Sequence, residues 1–271
     1  MTGTLERSSV QSDRRRFPGL LPHRMLLWRR PVWWQEIAIV AFGYWLYTLG
    51  CRAIPAEAAL AHRHGLAIQH LQQKLGLSWE PSFNRFVAAH EWLAQTMDYY
   101  YATMHFIVTP VVLVWLFSRR AHLYRGARTV IVATTLIGLL GFYLYPTAPP
   151  RLLPGLGYVD TALKFHTWGS LADPDIAKHS NQFAAMPSLH MAWAIWCGLS
   201  IFAAARHVAV RIVGLLYPLA TLAVIVGTAN HFILDAVGGA ALVGLGFAVQ
   251  WAMSGHGAYV DVRTPESAGT P

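Results

Sequence analysis

Six stretches of the chain carry nearly unbroken apolar runs, at roughly 34–54, 100–118, 127–146, 187–205, 210–229 and 232–253. As helices rising about 1.5 Å per residue, runs of this length match a hydrocarbon layer ~30 Å thick. The pattern therefore predicts an all-α polytopic membrane protein, a bundle of six transmembrane helices. Two shorter segments differ. Residues 56–75 place Leu60, Ala67, Ile68, Leu71 and Leu75 at helical spacing, and 82–97 do the same with Phe83, Phe86, Val87, Leu93 and Met97. Neither is apolar enough to span, so both are expected as helices of the first outer loop, lying in the interface or packed over the bundle.

Composition sharpens this picture. Of 271 residues, 55% are hydrophobic and only 13% charged, which excludes an ordinary soluble domain of this size. The organisation expected is a disordered basic tail over 1–30, a membrane catalytic domain over 31–254 and a second disordered tail over 255–271. The first tail has no apolar core followed by a small-residue cleavage site, so it is not expected to be a cleavable signal peptide. Leu26, Leu27, Trp28, Trp33 and Trp34, interleaved with Arg24, Arg29 and Arg30, resemble an interfacial belt leading into the first span.

The net charge is +8, and its distribution argues for topology rather than for nucleic acid as a partner. With six spans, fourteen of the 21 Lys and Arg residues fall on the side of the two termini and seven on the other. The excess of positive charge marks the cytoplasmic side, so a multi-pass protein of the cell membrane with both termini cytoplasmic is expected. Cys51 and Cys197 both fall in spans and show no metal-ligand spacing.

Three polar clusters interrupt the apolar pattern at span ends that share the outer side: APPR at 148–151, MPSLH at 186–190 and NHFILD at 230–235. An ionisable residue at membrane depth is costly and defaults to a functional hypothesis. In NHFILD, His231 and Asp235 are four apart, which on a helix puts both on one face. A carboxylate on one ring nitrogen leaves the other nitrogen's lone pair free to attack, although a packed histidine with a structural partner has the same spacing. In MPSLH, Pro187 suits the first turn of the fourth span, where Ser188 and the free amides can face an anion. His190, one turn in, is placed to move a proton; a prolyl helix start with a polar cap is the other reading. The prolines of YPTAPPR present Arg151 at the bundle mouth, where its planar fork matches phosphate oxygens or pairs with lipid headgroups.

The combination P-S-x-H at one span start and H-x-x-x-D at a later one resembles the type-2 phosphatidic acid phosphatase superfamily of membrane lipid phosphatases and phosphotransferases. The wording YPTAPPRLLPGLGYVDT, NQFAAMPSLHMAWA and NHFILDAVGG is most similar to the branch related to inositol phosphorylceramide synthase, over about residues 35–253. The resemblance implies His231 as the nucleophile forming a phosphohistidine, His190 as the proton donor and Asp235 as its orienting carboxylate. Two positions depart from the hydrolase pattern: Leu144 stands where a lysine is expected and Ile225 where an arginine is expected. His105 and Asn230 are candidates to replace the missing phosphate contacts, beside Arg151 and Ser188.

The resulting expectation is an enzyme that moves a phosphoryl or phosphodiester group from a lipid donor to water or an alcohol, without metal or cofactor. The competing class is a non-catalytic lipid or anion carrier in the bilayer. Asp160 and Asn181 are read as turn caps, Gly238, Gly239, Ala240 and Gly244 as close-packing positions, and His62, His64, His70 and His90 as surface residues.

Overall fold

A computed structural model of the chain describes residues 32–53, 58–167 and 182–260. The expected N-terminal tail 1–30, Asn181 and residues 261–271 lie outside the described residues. The helices, in chain order, are α1 Trp33–Ala53, α2 Ala58–Lys74, α3 Glu80–Ala89, α4 Glu91–Arg119, α5 Ala121–Leu144, α6 Thr161–Lys164, α7 Leu189–Ala204, α8 Val208–Gly227 and α9 Ile233–Ser254, with a 3-10 turn at Pro150–Leu152. No β-strand occurs among the described residues; one isolated parallel bridge pairs Thr147 with Ala184.

Four of these helices, α4, α5, α8 and α9, are long and apolar enough to cross a membrane. The other two stretches expected to span also fold as helices. α7 is apolar but has 16 residues, about 24 Å of helix, because Ser188 caps it two residues later than the apolar run suggests. Pro187 thus precedes the helix instead of occupying its first turn. α1 has 21 residues and carries Glu36 in its first turn. Glu36 is buried, accepts a hydrogen bond from the Tyr124 hydroxyl at 3.0 Å and pairs with Arg128, which ties α1 to α5.

The expected helix over 82–97 is two helices. His90, in an extended conformation, closes α3 through its N–H to the Val87 carbonyl, and its own carbonyl opens α4 by accepting from Leu93 and Ala94. Val87 on one side of this corner and Ala94 and Met97 on the other pack in one buried cluster, so the apolar period runs through the break.

α7 is the centre of the bundle, packed against α4, α5, α8 and α9. Its Trp196 is fully buried and donates its ring N–H to the Ala127 carbonyl at 2.8 Å. Lipid chains give no hydrophobic drive to helix pairing, so close approach of small residues has to supply it. A Cβ on Gly239 of α9 would sit 2.4 Å from the Ser188 carbonyl oxygen, and one on Gly246 would meet Thr134 and Val130 of α5. Ala240 and Gly244, expected to pack in the same way, are exposed, and a Cβ on Gly244 meets nothing within 4 Å. They lie on the outward face of α9. The start of the expected C-terminal tail also packs: Ala258 is buried beside Gly126, and the Tyr259 hydroxyl lies 2.9 Å from that of Ser200.

Candidate active site

The three polar clusters meet at one end of the bundle, joined by backbone hydrogen bonds. The Arg151 N–H donates to the Ala229 carbonyl at 3.1 Å, which links the first cluster to the third. The Ser188 N–H donates to the Asp235 carbonyl at 3.0 Å, linking the second to the third. Thr147 donates to Phe183 and accepts from Ala185, linking the first to the second. Ala229 makes the turn out of α8 with φ +54°, a left-handed conformation that costs a non-glycine residue about 1 kcal/mol. That turn delivers Asn230 and His231 to the centre.

His231 is buried and lies before α9, not on it. Its Nδ1 is 2.9 Å from the Ala185 carbonyl oxygen, an acceptor only, so Nδ1 carries the hydrogen and Nε2 the lone pair. Asp235 is further away: its Oδ2 is 3.7 Å from Nδ1 and accepts the Phe232 N–H at 2.8 Å, capping α9. The expected bond between carboxylate and imidazole is therefore replaced by a carbonyl, with the carboxylate behind it. Asp235 Oδ1 is buried with no hydrogen-bond donor among the described residues.

His190 occupies the first turn of α7, with its ring centroid 5.6 Å from that of His231. Tyr101 of α4 stacks on it at 4.1 Å, and His105 packs edge-on at 4.4 Å. The Tyr101 hydroxyl is 3.5 Å from His231 Nε2, a long contact. His105 donates from Nδ1 to the Tyr101 carbonyl at 3.1 Å, which leaves its Nε2 as an acceptor and makes it a neighbour of His190. Ser188 is fully buried and accepts from the Met191 N–H at 3.3 Å, so its side chain caps α7. A small cleft lined by Tyr100, Tyr101 and His105 of α4 and by Tyr217, Thr221 and Val224 of α8 reaches His190. No three His, Cys, Asp or Glu side chains among the described residues are arranged to hold a metal ion.

Arg151 is held from two sides. Its Nε donates to Asn230 Oδ1 and its Nη1 to Asp160 Oδ2, each at 2.9 Å. Asn230 also donates to the Thr228 hydroxyl at 2.8 Å, so both ends of its amide are engaged and it orients the arginine. Asp160 does cap α6, through Oδ1 to the Leu163 N–H, but its other oxygen completes the ion pair with Arg151. Of the positions where the expected cations are missing, Leu144 is 66% exposed at the end of α5, and Ile225 is buried against Met191 and Ala236.

The outer helices α2 and α3 supply a layer that sequence reasoning missed. Glu80 Oε1 accepts the Ile233 N–H at 2.9 Å, and Gln72 Oε1 accepts that of Leu234 at 3.0 Å, so side chains from both helices cap α9. The Tyr158 hydroxyl donates to Glu80 Oε2 at 3.1 Å. Burial holds the Glu80 carboxyl above its ordinary range, against the effect of these hydrogen bonds. Burial, and then the Glu80 charge, raise the Tyr158 phenol as well. His64, expected at the surface, is half-buried; it bonds the Pro146 carbonyl at 2.8 Å and stacks on Tyr145 at 3.8 Å, fixing the first cluster to α2. Glu80 and Gln72 carry no motif, and only their polarity within an apolar periodic pattern signals them.

No curated protein matches the chain, and no solved structure does. A family model described as the PAP2 superfamily matches residues 66–249, a span that begins in α2, ends in α9 and takes in all three clusters. That match covers most of the chain, and on it the protein belongs to the PAP2 superfamily.

Proposed function

We propose that the chain is a membrane phosphotransferase or phosphatase that acts on lipid phosphates or phosphodiesters through a phosphohistidine on His231. The observation that carries this reading is the His231 imidazole, whose Nδ1 is bound to the Ala185 carbonyl while Nε2 faces the Tyr101 and His190 side. In the first step Nε2 attacks phosphorus, the P–O bond to the lipid alcohol breaks, and the His190 imidazolium gives its proton to the departing oxygen. The phosphorylated ring is positive, and the Asp235 carboxylate 3.7 Å from Nδ1 offsets that charge. In the second step water or an alcohol attacks phosphorus, its proton passes to His190, and the P–N bond breaks. Arg151 Nη2 and the first amides of α7 face the phosphate oxygens. These steps draw on no metal.

The transferase branch resembling inositol phosphorylceramide synthase is favoured within this reading. Leu144 and Ile225 leave out two cations of the hydrolase pattern, and Arg151 is already paired. In the full proposal six helices span the bilayer, α2 and α3 lie over the site in the outer interface, both termini are cytoplasmic, and the site opens at the extracytoplasmic face.

Incubating the purified chain with a lipid donor labelled in phosphorus should trap label that is stable to alkali and labile to acid. His231→Ala should abolish both trapping and turnover. His190→Ala should leave less than about a tenth of the rate, since nucleophile and acid act as a unit. An unlabelled protein that still binds the lipid would instead identify a carrier.

A further inference from the structure

The phosphate pocket is built around a cation that the protein has partly neutralised itself. Asp160 Oδ2 lies 2.9 Å from Arg151 Nη1, and the two side chains are only 14% and 13% exposed, so water screens the pair weakly. The nearby basic side chains are engaged elsewhere. Lys164 donates to the Ala88 carbonyl at 2.7 Å and lies over the Phe165 ring, and Arg85 donates to Gly157 and Ser82. The guanidinium that meets phosphate is therefore half of a weakly screened ion pair, and Asp160 offsets its charge. A phosphodiester brings one negative charge into the pocket, whereas a phosphomonoester brings nearly two at neutral pH, because its second ionisation lies near ~6.

Resting on the lipid-phosphate reading above, we propose that Asp160 is a specificity-determining residue: by occupying one end of the Arg151 guanidinium, it limits the charge the pocket accepts and selects singly charged phosphodiesters over doubly charged monoesters. Asp160 is well suited to be tested alone. Its Oδ1 caps α6 through Leu163, and Asn or Ser caps a helix about as well as Asp. Asp160→Asn and Asp160→Ser therefore remove the charge and keep the cap.

The full chain in detergent is assayed with phosphatidylglycerol and phosphatidic acid of the same diacyl chains, reading released diacylglycerol, which is the leaving alcohol of both. The wild type should favour the diester in kcat/KM, and both variants should shift the diester-to-monoester ratio toward the monoester by about tenfold or more. A purely positioning role would lower both substrates together and leave the ratio unchanged, which overturns the proposal. A second readout needs no turnover: dimethyl phosphate should raise the unfolding temperature of the wild type more than methyl phosphate does, and Asp160→Asn should level or reverse that order. If the order persists in Asp160→Asn, the charge limit does not reside in Asp160. Absence of diacylglycerol from either lipid, with the two phosphates still discriminated, would sink the enzymatic reading and leave the charge limit standing.

Discussion

Arg151 makes one residue carry several duties. Its Nε and Nη1 are committed to Asn230 and Asp160, so only the rest of the fork can meet a phosphate. A lysine at this position keeps the charge, but a single ammonium cannot satisfy Asn230, Asp160 and substrate in one plane. Arg151→Lys should therefore lower kcat/KM at least about tenfold, equivalent to ~1.4 kcal/mol of transition-state stabilisation. Near-normal kinetics would show that the arginine is not the anion contact. At this scale the sequence pointed to residues that the fold brings together, because His190, His231, Asp235 and Arg151 are polar residues where apolar ones are cheaper. It did not show how they are held. Spacing of four suggested a direct bond from Asp235 to His231, but the turn at Ala229 leaves His231 ahead of α9 and hands its Nδ1 to Ala185, 46 residues away in sequence. Such a partner is set by tertiary placement. Tyr101 was equally silent, since an aromatic residue in a membrane helix is ordinarily just apolar surface.

Elements, rather than single residues, decide where the third cluster points. The first N–H groups of a helix need acceptors, and those of α9 are met by Asp235, Glu80 and Gln72, the last two from α3 and α2. The outer helices thereby clamp the helix that follows His231. Glu80 is the titratable part of this clamp. Its pKa in the folded protein is raised above the ordinary 4.5 by burial, so the folded chain holds that proton more tightly than the unfolded one. Its contribution to stability is complete below the unfolded value and is lost as pH rises through the raised folded value. Glu80→Gln keeps an oxygen for Ile233 and an amide for Tyr158 but does not titrate. The thermal unfolding temperature in detergent, followed from about pH 4 to about pH 8, should fall more steeply with rising pH in the wild type than in Glu80→Gln. Equal slopes would remove Glu80 from the account. The periodicity of 56–75 made α2 legible, yet the same period ran unbroken from α3 into α4, because Val87, Ala94 and Met97 face one cluster across the corner at His90. Periodicity reports which face is buried and is blind to a bend that preserves the face.

At the scale of the whole molecule, the side of the membrane that holds the site fixes what can reach it. The clusters sit together at the ends of α5, α7 and α9, with Lys164 on the connection after Arg151 at the same end of the bundle. His122, in the first turn of α5, lies at the opposite end, among Arg119, Arg120, Arg125 and Arg128. Positive residues near span ends tend to be retained on the cytoplasmic side, and on that rule we propose that the basic end is the inner one and the site faces out. The excess rests on fourteen against seven residues, and the seven are spread over the longer loops, where charge constrains orientation less. Single cysteines introduced at Lys164 and at His122, in a chain with Cys51 and Cys197 replaced by serine, separate the two orientations. An impermeant thiol reagent applied to intact cells should label the Lys164→Cys protein and leave His122→Cys unlabelled until the cells are opened. The reverse pattern would move the site to the cytoplasm. It would also replace lipids of the outer leaflet with cytoplasmic donors and acceptors while leaving the histidine chemistry untouched.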